Sequence, residues 1–230
     1  MALIRPGAVV GQISGRVGGV VFARNRGGAY VRNGPAPVQP RTIYQTQVRN
    51  ALSTASSAWD GLTEDQRKAW SEWAKLNPIK NRIGETVTLQ GNAAFVELNS
   101  RLARLGIAPV AATPAVGAPA GLLTLSLNAD IGAGAFEAVF TPNPLGANQR
   151  IVIEGCNTRA TAVEFIENRL VLVTAGAAAS TSPMDIQAAF EARLGTLAVG
   201  DHVWIRAYII DDRNGQVSGM VTADNYVTHT

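Results

Sequence analysis

Catalysis needs nucleophiles, acid–base groups or metal ligands at workable spacing, and this 230-residue chain holds few of them. Its histidines are His202 and His229, and its single cysteine, Cys156, is remote from both. That set has no zinc-like spacing. No nucleophile elbow, Walker loop or paired-carboxylate motif occurs. Gly132-Ala133-Gly134 lacks a strand–helix setting and reads as a turn. Asp211, Asp212 and Asn214 carry oxygens that suit a cation, yet Asn214-Gly215 is turn chemistry and predicts a solvated hairpin. Cys156 closes the apolar run Ile151-Val152-Ile153-Glu154-Gly155, which predicts a small buried hydrophobe rather than a reactive thiol. No catalytic residue, cofactor site or metal site is expected, and the chain does not read as an enzyme.

Binding chemistry is better represented. Residues 1–59 contain Arg5, Arg16, Arg24, Arg26, Arg32, Arg41 and Arg49 but no lysine, aspartate or glutamate; the first acidic residue is Asp60. This stretch carries +7 and the remainder −4, giving +3 overall. A basic arm on a mildly acidic body suits nucleic acid or an acidic protein surface, its own neighbours included. Guanidinium forks fit phosphates and carboxylates alike. Nucleic-acid tails, however, mix lysine with arginine in denser runs. Here the arginines are spread among Val, Phe, Tyr and Gly, so a protein-bound arm is the leading reading and DNA contact the alternative. The candidate anchor residues are Arg16, Phe22, Arg24, Arg26, Tyr30 and Arg32.

The elements that must carry these residues fall into four zones. Residues 1–40 read as an extended Arg/Gly-rich arm, ending in Pro35, Pro37 and Pro40, which favour extended backbone. Residues 41–106 read as a small helical domain. Tyr44, Val48, Leu52, Ala55 and Trp59 mark one helix face. Thr63-Glu64-Asp65-Gln66 is a capping box for a second helix through Trp70, Trp73 and Ala74, stopping before Pro78. A third begins near Asn92, with Phe95, Leu98, Leu102 and Leu105 on its face and Gly106 as its stop. Trp59, Trp70 and Trp73 are expected in a core rather than in a ligand cage. Residues 107–121 form a Pro/Ala/Gly linker with little to bury.

Residues 122–230 read as strands, at 122–127, 135–140, 149–155, 162–166, 170–173, 202–210 and 217–225. In 203–210, Val203, Ile205, Ala207 and Ile209 alternate with Trp204, Arg206, Tyr208 and Ile210, so one set faces a core and the other is free to meet a second surface. Ser182-Pro183-Met184-Asp185 is an alternative cap for a short helix through Leu194. About seven short strands predict a β-sandwich. The fold class is therefore mixed and mainly β: an extended arm, a small helical segment and a C-terminal Ig/fibronectin-III-like sandwich. Hydrophobic residues make up 47% and charged residues 16%, so the surface is either covered by neighbours or small and neutral. Residues 1–7 lack the pattern of a secretory signal, and no stretch is long enough to span a membrane.

Two resemblances follow from these residues. Leu197-Ala198-Val199-Gly200-Asp201-His202-Val203, the strand after it, the turn Asp211-Asp212-Arg213-Asn214-Gly215 and Gln216-Val217-Ser218 resemble the end of a fibronectin type III domain. Val199 and Val203 stand where that family has a proline and its corner tyrosine. The resemblance implies a binding or spacing module without chemistry. Gly15-Arg16-Val17-Gly18-Gly19-Val20-Val21-Phe22 with Arg24-Asn25-Arg26-Gly27-Gly28, and Trp59-Asp60-Gly61-Leu62-Thr63 with Arg67-Lys68-Ala69-Trp70-Ser71-Glu72-Trp73-Ala74, resemble the front half of proteins encoded by tailed bacteriophages and prophages. That resemblance implies a virion structural protein made in the host bacterial cytoplasm. A multi-copy capsid decoration or cement protein is expected, partnered by the major capsid protein or other virion subunits. The alternatives are a head–tail or tail accessory protein, a nucleic-acid-binding protein and a surface adhesion module.

Overall fold

Glycine decides the course of the first unit. The computed structural model describes residues 2–3, 13–34, 41–81, 83–115, 117–132, 135–158, 163 and 165–229. Gly18 adopts φ 56°, the positive value that lets a two-residue turn reverse the chain. A second two-residue turn, Arg26-Gly27, is fastened by Gly27 N donating to Asn25 Oδ1 at 2.9 Å. Strands β1 (Ala2–Leu3), β2 (Gly15–Val17), β3 (Val20–Asn25) and β4 (Gly28–Asn33) therefore make one antiparallel sheet, ordered β1-β4-β3-β2. The expected single extended arm is corrected here: its glycines fold it back twice. The prolines at 35–40, and Arg5, lie outside the described residues.

The chain divides into two units, Met1–Ile43 and Tyr44–Thr230. In the second, α1 (Ile43–Asp60), α2 (Glu64–Leu76) and α3 (Gly91–Arg104) follow the expected order, with a short hairpin, β5 (Ile79–Lys80) and β6 (Thr86–Val87), between the last two. The capping box forms as read: Gln66 N donates to Thr63 Oγ1 at 3.3 Å and Thr63 N to Gln66 Oε1 at 2.9 Å. Trp70 is the hub of the helical core, edge-on to Phe95 at 5.2 Å and to Trp73 at 5.6 Å. On α1 the expected face is corrected at its start, while Ala55 and Trp59 pack inward as read. Ala51 and Ala55 are buried, whereas Tyr44, Val48 and Leu52 stay 42–52% exposed.

The strands are β7 (Thr124–Asp130), β8 (Ala135–Thr141), β9 (Gln149–Asn157), β10 (Val171–Ala175), β11 (Met184–Asp185), β12 (His202–Asp211) and β13 (Val221–Tyr226). The strand expected at 162–166 is corrected: 163, 165 and 166 are not in a strand, and 162 and 164 lie outside the described residues. The alternative helix exists as α4 (Gln187–Leu194), where Asp185 Oδ1 accepts from Gln187 N at 2.9 Å. One sheet is ordered β11-β8-β7 and the other β10-β9-β12-β13, all antiparallel. Their inner faces share a core: Leu127, Phe136, Ala138 and Phe140 from the first meet Ile151, Ile153, Val203, Ile205, Ala207 and Ile209 from the second. Leu197 and Val203 are both buried in it.

The outward set on β12 does meet a second surface. Ile210 and Tyr208 pack with Val152 and Leu172 against Leu102 of α3 and Leu105 just after it, so helices and sheets share an apolar contact. The segment after α3 buries more than expected. Val110 N donates to Asn99 Oδ1 at 2.6 Å, Asn99 Nδ2 returns a bond to Val110 O at 3.4 Å, and Trp70 Nε1 donates to Ala111 O at 2.8 Å. These bonds occur because a buried amide and a buried indole N–H each need a partner. The β12–β13 turn is also not solvated. Asp211 and Asn214 are buried, and Gly215, at φ 73°, packs on the backbone of α3 beside the Leu98 carbonyl.

Candidate interaction surface

Residues opposite each other in an antiparallel pair share a face, so the register sorts the anchor candidates. Phe22 faces Val31 and Gly15; Val20 faces Asn33 and Val17; Arg24 faces Ala29. One face is thus a run of Val17, Val20, Phe22 and Val31 with Arg24 at its end. Arg16 aligns with Val21 and Arg32, and Tyr30 with Ala23 and Leu3, giving a mixed opposite face. Arg26 sits in the turn. The six candidates therefore do not converge on one spot. Phe22 and Arg24 lie on one face, Arg16, Tyr30 and Arg32 on the other, and Arg26 at the tip.

Not one of residues 13–34 is buried. Leu3 is 75% and Val17 72% exposed, and Phe22, Tyr30 and Val31 are only half-buried. A small sheet needs a covered apolar face to be independently stable, and this one has an apolar face without a core beneath it. The unit also contains no carboxylate, because the first acidic residue is Asp60. Arg16 is satisfied locally, its Nε donating to Gly18 O at 2.8 Å. Arg24, Arg26 and Arg32 are exposed. Backbone groups within β3 are already spent on β2 and β4. The unit therefore offers a partner mainly its side-chain faces.

The body offers structure where its polar residues cluster. Asp211 receives two bonds from the Arg213 guanidinium, at 3.0 and 2.6 Å, and those bonds hold its carboxyl below the usual carboxylate range. Asp212 is clamped bidentate by Arg150 at 2.6 Å on both oxygens. The turn that carried cation-like oxygens thus spends both carboxylates on arginines. Arg206 bridges Glu154 at 2.6 Å and Glu167 at 2.9 Å. Sequence reasoning missed these pairs: the partners of Arg150 and Arg206 lie far apart in the chain, and Asp211 and Arg213, two residues apart, were read only as parts of a turn; only the alternation along β12 hinted that Arg206 faces outward. His202 is buried at the start of β12, with Nε2 2.8 Å from Asp224 Oδ2 and its ring stacked on Tyr226 at 4.4 Å. Cys156 is buried, and burial pushes its thiol upward. Among the described residues no group of three His, Cys, Asp or Glu side chains is placed to hold a metal ion, and no helix is long and apolar enough to cross a membrane.

No protein-family model, no curated protein and no solved structure matches this chain.

Proposed function

We propose that this chain is a multi-copy structural protein of a tailed-phage virion, a capsid decoration or cement protein that docks through the N-terminal sheet. The observation that carries the reading is the sheet itself: four paired strands, an apolar face, four exposed arginines and, among its described residues, nothing buried. Such a unit gains most of its stability from the surface it meets. An acidic, partly apolar protein surface fits it best, for instance on the major capsid protein. The arginines then find the carboxylates that residues 1–59 lack. Many modest contacts across copies would add up by avidity to strengthen a thin shell.

The body is read as an Ig/fibronectin-III-like sandwich. Support comes from the strand order: the first, second and fifth strands of the region form one sheet, and the third, sixth and seventh form the other with the fourth at its edge. The grouping is similar to the immunoglobulin-type A-B-E and C-F-G sets, with the fourth strand on the second sheet instead of the first. The helices brace one face of the larger sheet, which suits a rigid spacer.

Mass spectrometry of purified particles with copy counting tests the proposal. Hundreds of copies per particle are expected. A dozen or fewer would move the chain to the neck or tail, and absence from particles would overturn the virion reading. A nucleic-acid role has one observation in its favour, the row Arg16–Val21–Arg32 across the second face. It predicts affinity for DNA that falls steeply with added salt.

A further inference from the structure

Within the second unit, the exposed start of α1 stands over α4 and the sheet-edge strand β10, leaving a groove of about 320 Å³. Its polar lining is Tyr44, Gln47, Arg104 and Arg193; Leu172 and Val173 supply apolar walls, and none of its lining residues is acidic. The Arg193 guanidinium carbon lies over the Tyr44 ring, 3.1 Å from its centroid, a cation–π contact that restrains the side chain. Its Nε is shielded from solvent yet has no hydrogen-bond partner. The contrast within the same unit is informative. Arg101, Arg150, Arg206 and Arg213 each hold a carboxylate, whereas among the described residues no carboxylate pairs with Arg104 or Arg193.

Two unpaired guanidiniums beside an apolar wall make a complementary arrangement for one kind of group. We infer that this groove binds a carboxylate carried on an apolar stem, with Arg193 and Arg104 taking the oxygens and Leu172 and Val173 the stem. A planar carboxylate matches a guanidinium two bonds at a time, and burial of the stem against Leu172 and Val173 adds the hydrophobic part. The stem distinguishes this ligand from a bare inorganic anion. The same chemistry is presented by a free aliphatic acid or by a Glu side chain in a leucine-flanked peptide.

The full-length chain is titrated by NMR with hexanoate, with hexanol, with inorganic phosphate and with the peptide acetyl-Leu-Glu-Leu-amide. Saturable shifts are expected for hexanoate or the peptide, and the tighter of the two identifies the source. Hexanol and phosphate are each expected to bind at least about tenfold more weakly, as loss of a charge-assisted pair or of the stem contact implies. R193Q and R104Q should each weaken the acid by about tenfold, while R193K, which keeps the charge but not the planar fork, should fall between. Hexanol or phosphate binding as tightly as the acid, no saturable carboxylate shift at all, or folded R193Q and R104Q variants that bind like the wild type would each overturn the inference. The hexanol and phosphate comparisons use the unaltered chain and hold even if a variant fails to fold.

Discussion

Gly215→Ala is expected to lower the stability of the body by about 3 kcal/mol, combining overpacking with the cost of a left-handed backbone for an L-residue. A Cβ built there would press on the Leu98 carbonyl of α3, and Gly215 holds φ 73°. For a unit of this size, such a loss lowers the melting temperature by roughly 6–12 °C. Gly200 separates the two causes. It holds φ 89° with open space around its missing Cβ, so Gly200→Ala should cost only about 1 kcal/mol from the backbone. Thermal and urea melts of both variants decide the matter. Equal losses would mean that the β12–β13 turn does not bear on α3, and the shared contact between helices and sheets would lose its main support.

Trp70→Ala should cost about 3–5 kcal/mol, the range for removing a large buried aromatic. The indole is 1% exposed, packs edge-on to Phe95 and donates to the Ala111 carbonyl. Its loss opens a cavity and frees the strap that follows α3. Trp70→Phe keeps a ring but leaves Ala111 O without its donor, so a smaller loss, about 1–3 kcal/mol, is expected from the unmade bond and reduced volume. Hydrogen exchange should rise around residues 107–111 in both variants. Unchanged protection there would show that Asn99 alone holds the strap.

These effects mark how far the sequence could be read. Thr63 and Gln66 announced a helix start because a capping box is local chemistry over four residues. The alternation in β12 named the core set Val203, Ile205, Ala207 and Ile209 for the same reason: period-two patterns need only neighbours. What failed was non-local. Of the stripe Tyr44, Val48, Leu52, Ala55 and Trp59, only Ala55 and Trp59 pack inward, because what a helix face buries depends on the facing element. Asn214-Gly215 looked solvated because nothing in its own vicinity mentions α3. The arm looked extended because isolated glycines do not reveal whether they bend a chain once or relax it throughout. The groove under α1 joins Tyr44, Arg104 and Arg193, which are far apart in sequence, and no spacing rule connects them. The anchor residues were legible as a composition, an arginine-only stretch without acids, but their division between two faces required the register.

The central claim is that the N-terminal sheet is a docking unit whose apolar face is completed by a partner. Co-sedimentation of purified particles with a V20S/F22S double variant tests it most directly, with the melting of the body as a check that residues 44–230 are unharmed. Val20 and Phe22 share the apolar face and are not needed to fill any core of their own. The account predicts that the variant melts like the unaltered chain but no longer sediments with particles. A variant that still sediments at full occupancy would contradict it.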